Sequence, residues 1–206
     1  MTAPENPTGH AEAVGDTGSV TSRPQLREPV IGAGAGRSAL SLQHAGVAVT
    51  ALDVSPGALE VCRRRGVAQT FHGSVTDLAA HEPHEPFDTF LCMGNNLGLL
   101  GMPPLAADFL GALAALGTSD CVLVGTMLNP YETTNPDHLA YQEANRARGV
   151  LPGQIWLRVR YRRLASPWFG LLWLAPDELA ELVAASGWEL TAATEGMIYA
   201  AQMRKR

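Results

Sequence analysis

The chain has no run of about 20 apolar residues, the length a helix needs to cross a bilayer, and its longest candidate is broken by Asp108. It also lacks an N-terminal basic patch followed by an apolar core, so neither a membrane span nor a secretory signal is expected. It has no CxxC pair. Cys62, Cys92 and Cys121 are an odd set, far apart and embedded in apolar stretches. That spacing suits neither a zinc nor a redox site, and the three read as small core residues in a reducing cytoplasm. An excess of basic charge is absent too. A net charge of -5 and a pI near 5.6 argue against a partner gripped through its phosphate backbone, so no nucleic acid is expected. His81-Glu82-Pro83-His84-Glu85 lacks the histidine at position 85 that a His-Glu-x-x-His helix requires, and Pro83 opposes a helix, so no metal is expected.

What is present is an ordinary globular balance over 206 residues, enough for one substantial core. Residues 1–27 are rich in Thr, Gly, Pro, Glu and Ser, show no periodicity and are expected to form a disordered leader to a folded region at 28–206. From there apolar runs of strand type alternate with helical patterns, the sign of an α/β fold around a mostly parallel sheet. Val47 to Leu52, Phe87 to Met93 and Cys121 to Met127 read as buried strands. Helices are expected at Arg37 to Ala45, Pro56 to Arg65 and Pro104 to Leu116. Ser55 is the N-cap and Pro56 the first residue of the second, and Gly46 and Gly66 end the first two. Asn129 to Pro152 interrupts the alternation as an insertion, with a short helix around His138 to Arg148. Gln154 to Leu164 alternates strictly, which predicts one half-buried strand with Arg158, Arg160 and Arg162 on its solvated face. Trp168 to Leu174 is its expected partner. A helix from Pro176 to Ser186 and strands near Trp188 to Thr194 and Met197 to Met203 close the chain.

The chemistry gathers at Val30-Ile31-Gly32-Ala33-Gly34-Ala35-Gly36-Arg37, a strand-to-helix junction whose glycines let backbone approach a ligand and leave helix N–H groups free to bind it. A dinucleotide loop of the G-x-G-x-x-G type would need glycine where Arg37 stands. Asp53 ends the next strand about 20 residues beyond the first glycine, where a carboxylate can accept both hydroxyls of an adenosine ribose.

With Gly32, Gly34, Gly36 and Asp53 in these positions the chain resembles class I S-adenosylmethionine-dependent methyltransferases. The resemblance extends through "FHGSVTDL", "FDTFLCMGNNLGLLG" and "PDELAELVAASGWEL", and so from Val30 to Arg206. It implies a Rossmann-like, doubly wound, mostly parallel seven-stranded sheet. It implies S-adenosyl-L-methionine as cofactor, with Gly32, Ala33, Gly34 and Gly36 along its methionyl part and Asp53 with Val54 at its ribose. Ser74 is then expected to take the adenine amino group, Val75 to pack on the adenine, and Met93, Gly94 and Asn95 to lie between cofactor and acceptor. Two positions depart from the family pattern. Ser74 stands where Asp or Glu is usual, and Val30 stands where an acidic residue is expected to face the cofactor's ammonium. Pro29 beside it predicts a short first strand, and replacing Val30 by Asp is expected to tighten cofactor binding.

The implied activity is methyl transfer to a small-molecule O, N or C nucleophile, with His138 or Asp137 of the insertion as base and Tyr131, Tyr141, Trp168 and Phe169 as pocket walls. A nicotinamide-dependent oxidoreductase and a non-catalytic methyltransferase-like binding protein are the alternatives.

Overall fold

The computed structural model describes residues 27–81 and 85–206. The leader expected over 1–27 lies outside the described residues except for Arg27, which opens β1 (Arg27–Ile31). Then follow α1 (Arg37–His44), β2 (Ala48–Asp53), α2 (Pro56–Arg64), β3 (Gln69–His72), α3 (Val75–Ala80), β4 (Phe87–Cys92), a 3-10 turn (Asn96–Leu100), α4 (Pro103–Leu116) and β5 (Gly117–Leu128). The insertion after β5 holds α5 (Pro136–Ala147), β6 (Gln154–Leu157), β7 (Arg160–Tyr161), β8 (Leu164–Ala165) and β9 (Phe169–Leu172). Helix α6 (Pro176–Ala184) and strands β10 (Trp188–Ala193) and β11 (Ile198–Lys205) complete the chain.

The main sheet has seven strands in the order β10-β11-β5-β4-β1-β2-β3. Strands β1 to β5 run parallel, and β11 returns antiparallel between β5 and β10. The order reverses direction between β1 and β4, so the loops leaving these two strands diverge and open a crevice at their carboxyl ends. Side chains one residue apart on β1 and β2 enter different cores. Val30 and Ala51 join Ala39, Leu40 and Cys62 under α1 and α2, whereas Ile31 and Leu52 join the larger cluster beneath α3, α4 and α6. Trp188 is fully buried in the larger cluster and donates its indole N–H to the Leu110 carbonyl at 3.1 Å. Cys62, Cys92 and Cys121 are free and buried, and burial pushes the Cys92 thiol up to about 12. No helix of the described residues is long and apolar enough to cross a membrane.

Local signals explain most element ends. The Ser55 hydroxyl accepts from the Ala58 N–H with Pro56 at the first helical position, as the sequence predicts. Pro29 does not stop β1, which pairs with β2 along all five of its residues. The loss falls on the other side, where the ladder to β4 is reduced to the single register position Val30↔Leu91 beside a residue with no N–H to donate. The long alternating segment is not one strand. Gln154–Leu157 pairs with β9, and the chain then forms a separate hairpin, β7 with β8, that turns at Arg162 with φ 54°. Alternation reports a period but not a buried face, and Val159, Tyr161 and Leu164 are all more than half exposed.

Val30 is 2% exposed and sits among apolar neighbours under α1 and α2. The expectation that a carboxylate here would tighten cofactor binding is therefore reversed, because the position faces core. The Val30→Asp variant should lose on the order of 3 to 5 kcal/mol by burying an unpaired carboxyl. At about 2 to 4 °C per kcal/mol for a chain of this size, the thermal midpoint should fall by roughly 6 to 20 °C. An unchanged midpoint in a calorimetric scan would show that the position can reach solvent or a cation.

Candidate active site

The crevice is built around one carboxylate. Asp53 ends β2, and its Oδ2 accepts from the Gly34 N–H at 2.8 Å while its Oδ1 accepts from the Ser55 N–H at 2.8 Å. The loop after β1 is thus tied to the turn before α2. A second tie comes from the other side of the crevice, where the Asn96 amide donates to the Ile31 and Gly32 carbonyls at 3.1 and 2.8 Å. Gly32 and Gly34 both have positive φ, 65° and 54°. At Gly32 a Cβ would lie 2.5 Å from the Asn96 amide nitrogen, so the tie itself requires glycine. At Gly34 a Cβ would meet nothing within 4 Å, which leaves open space above the loop. Ala33 donates its N–H to Leu52 O and accepts from Gly36, closing the turn into α1. Beneath it, the Cys62 thiol donates to the Gly34 carbonyl at 3.2 Å.

The remaining sequence-derived positions divide into those at the crevice and those turned elsewhere. Val54 follows Asp53 and is 69% exposed, a large apolar side chain beside the carboxylate. The Val54 carbonyl is within 3.1 Å of His72 Nε2 at the end of β3. Ser74 caps α3 in a reciprocal box: its hydroxyl accepts from the Asp77 N–H, and its N–H and hydroxyl both reach Asp77 Oδ2, at 2.8 and 2.6 Å. Those bonds hold the Asp77 carboxyl below its ordinary range and occupy the Ser74 hydroxyl. Val75 is 3% exposed and packs in the larger core, so its side chain is not available as an adenine wall. Met93 is partly buried, Gly94 is exposed with φ 77°, and Asn95 holds a left-handed conformation with φ 67°. The Asn95 N–H donates to Thr126 Oγ1 at 2.9 Å, while its Oδ1 is buried without a partner among the described residues. A buried acceptor of this kind costs free energy until a donor meets it.

The insertion forms a cavity of about 450 Å³ at the carboxyl end of β5, lined in part by His138, Tyr141, Trp156 and Trp173. Two buried amides of α5 fix its frame. Gln142 donates to Pro130 O at 2.6 Å, and Asn145 donates to the Leu151, Pro152 and Gln154 carbonyls at 3.3, 3.0 and 2.8 Å. His138 Nδ1 lies 3.1 Å from Thr133 Oγ1. Of the expected walls only Tyr141 lines the cavity. Tyr131 instead donates its hydroxyl to Glu178, and burial together with that carboxylate pushes the phenol up to about 12. Trp168 is 59% exposed with the Arg158 guanidinium 5.0 Å above its ring, and Phe169 lies outside the lining. Asn96, Trp156 and Trp173 were not anticipated. Asn96 stands beside the expected Met93 to Asn95, and a second amide before an apolar turn was the available signal. For the tryptophans no local signal exists, because facing the cavity depends on the pairing of β6 with β9.

These residues fit a nucleoside joined to an amino acid. There is a fixed carboxylate for a ribose diol, an exposed apolar side chain next to it, a glycine with open space above it, and a buried acceptor awaiting a donor. The sequence matches a family model described as a methyltransferase domain over residues 30–117, the stretch that carries the glycine loop, Asp53, Ser74 and the 93–96 turn. No curated protein matches the chain. Among solved structures it is similar to an S-adenosylmethionine-dependent methyltransferase from Bacteroides fragilis in complex with S-adenosyl-L-homocysteine. That pair shares 25% identity with a TM-score of 0.70, over 87% of this chain and 72% of the other. A methyltransferase from Methanosarcina mazei, at 14% identity and TM-score 0.69, covers 89% of this chain and 94% of its own. The CcbJ methyltransferase from Streptomyces caelestis, at 15% identity and TM-score 0.64, covers 87% and 83%. These last two show the shared fold. From the family model, the fold and the carboxylate-centred crevice together, residues 30–117 carry a methyltransferase domain and the chain has the fold of S-adenosylmethionine-dependent methyltransferases.

Proposed function

We propose that the enzyme transfers the methyl group of S-adenosylmethionine to a small molecule held in the cavity of the insertion, with Asp53 anchoring the donor's ribose. The single observation that carries this reading is the pair of backbone hydrogen bonds to Asp53, which fix a carboxylate near the point where the sheet order reverses. Each of its oxygens can accept further hydrogen bonds from ribose hydroxyls. Gly32, Ala33, Gly34 and Gly36 would follow the methionyl part, and Val54 would cover one face of the adenine. Asp77, held by Ser74, would accept from the adenine amino group in place of Ser74 itself. Met93, Gly94 and Asn95 would stand between donor and acceptor. The unpaired Asn95 Oδ1 would receive the ammonium that Val30 cannot meet.

When bound, the donor supplies a methyl carbon on a positively charged sulfur. The task left to the chain is orientation, and holding two reactants in line can contribute about 7 to 11 kcal/mol of barrier lowering. His138 lines the cavity and is within hydrogen-bonding distance of Thr133, a position from which one imidazole nitrogen can take a proton from the acceptor. Residues 28–206 act as one methyltransferase-like unit in this reading. The buried free thiols suit a reducing cytoplasm, and the acidic net charge disfavours nucleic acid as the acceptor.

Replacing Asp53 by Ala removes charge-assisted hydrogen bonds of about 1.5 to 3 kcal/mol, so calorimetric titration should find S-adenosylhomocysteine binding weakened roughly 10- to 150-fold. The same variant should melt lower without ligand, because the Gly34 and Ser55 N–H groups lose their acceptor. Parental affinity in the variant would remove Asp53 from the site. In a metabolite extract supplied with a methyl-labelled donor, His138→Gln should transfer label roughly 100-fold or more slowly while binding S-adenosylhomocysteine normally. Equal labelling by parent and variant would assign the proton to another group.

A further inference from the structure

The cavity has a charge character that the methyl-transfer reading alone does not require. Glu132 and Asp137 are among its lining residues, together with the rings of Tyr141, Trp156 and Trp173 and the imidazole of His138, and no arginine or lysine lines it. This is not for want of basic residues in the insertion. Arg146 is paired with Glu143, Arg148 donates to Ala144 O and to Asn145 Oδ1, and Arg158 lies over the Trp168 ring. Each of these three cations has a partner away from the cavity. The two carboxylates, by contrast, form no ion pair among the described residues. Glu132 also borders an adjoining groove that Glu195 lines, again with no basic residue, so negative charge continues along the rim.

Trp156 is 57% exposed and Tyr141 39%. Large aromatic rings left open beside unpaired carboxylates are the surroundings in which a cation on an apolar body gains on both counts. The ring faces attract the charge and the apolar body covers the rings, while the carboxylates supply the counter-charge.

We infer that the acceptor is an amine, bound as its ammonium form on an apolar or aromatic body, with Glu132 and Asp137 selecting its charge. The inference rests on the reading of this cavity as the acceptor site. In the reaction, the ammonium nitrogen gives up one proton to an imidazole nitrogen of His138, and its freed lone pair forms the new N–C bond to the donor's methyl carbon. The C–S bond breaks with its electron pair staying on sulfur, which becomes neutral, and His138 passes its proton to water. The methylated amine forms as a cation, because the attacking neutral amine takes over the positive charge that leaves sulfur with the methyl group, so the carboxylates suit product as well as substrate.

The test uses three size-matched probes, phenethylammonium, phenethyl alcohol and phenylpropionate, titrated calorimetrically into the full chain at neutral pH with and without S-adenosylhomocysteine. Phenethylammonium should bind at least about tenfold more tightly than the alcohol, with phenylpropionate weaker than either, and the preference should shrink as salt is raised. In the Glu132→Gln, Asp137→Asn double variant the advantage over the alcohol should fall to roughly threefold or less, with alcohol and S-adenosylhomocysteine affinities unchanged. Phenylpropionate binding as tightly as the ammonium, a double variant that keeps the preference, or no binding of any probe would each overturn the inference. Failure of S-adenosylhomocysteine to bind would instead strike at the methyl-transfer reading, and the cation preference measured without it would still be decided on its own.

Discussion

Everything in the crevice depends on the Asp53 carboxylate accepting from the Gly34 and Ser55 N–H groups. A glycine loop has many conformations to lose, and a loop that must present backbone to a ligand cannot be held by its own side chains. Here the restraint comes from outside. Asp53 holds the loop from β2, and Asn96 holds the Ile31 and Gly32 carbonyls from the turn after β4. The cost of ordering the loop is thereby met on folding rather than on binding, which favours affinity. It also gives Asp53 a structural role of its own, so a substitution there loosens the loop whatever else it does.

The 3-10 turn at 96–100 carries this order toward the insertion. Asn96 at its start bonds the glycine loop, and Gly98 within it packs so close to Trp173 that a Cβ would come 3.2 Å from the indole. Trp173 in turn walls the cavity. One short turn therefore separates the glycine loop from the cavity of the insertion. The insertion is no loose flap, because Gln142 and Asn145 hang the backbone of Pro130 and of 151–154 from α5. Buried amides on an otherwise polar helix are the feature by which such a frame is recognised.

The sheet was legible because each parallel strand is a short apolar run bounded by glycine, proline or a carboxylate, and the helices carry their own start and stop signals. The loop, Asp53 and the insertion were legible by spacing. What the sequence misled on shares one cause: a residue's side of the sheet or hairpin is set by pairing partners distant in sequence. Val30 fits the family's acidic position, yet the register of β1 with β2 turns it under α1 and α2. Val75 follows a helix cap, and its side chain enters the core instead of the crevice. Arg158, Arg160 and Arg162 alternate well, but β9 offers only four residues to pair with, so the strand ends and a hairpin takes over. Tyr131, Trp168 and Phe169 are aromatic residues of the right region that found Glu178, Arg158 and the β6–β9 ladder as partners.

The central claim is that a carboxylate-pinned glycine loop binds an adenosyl amino acid and not a dinucleotide, and calorimetric titration of the full chain with S-adenosylhomocysteine and, separately, with NADH tests it most directly. The account predicts saturable one-to-one binding of S-adenosylhomocysteine and no heat of binding with NADH. Binding of NADH alone, or of neither compound, would contradict it.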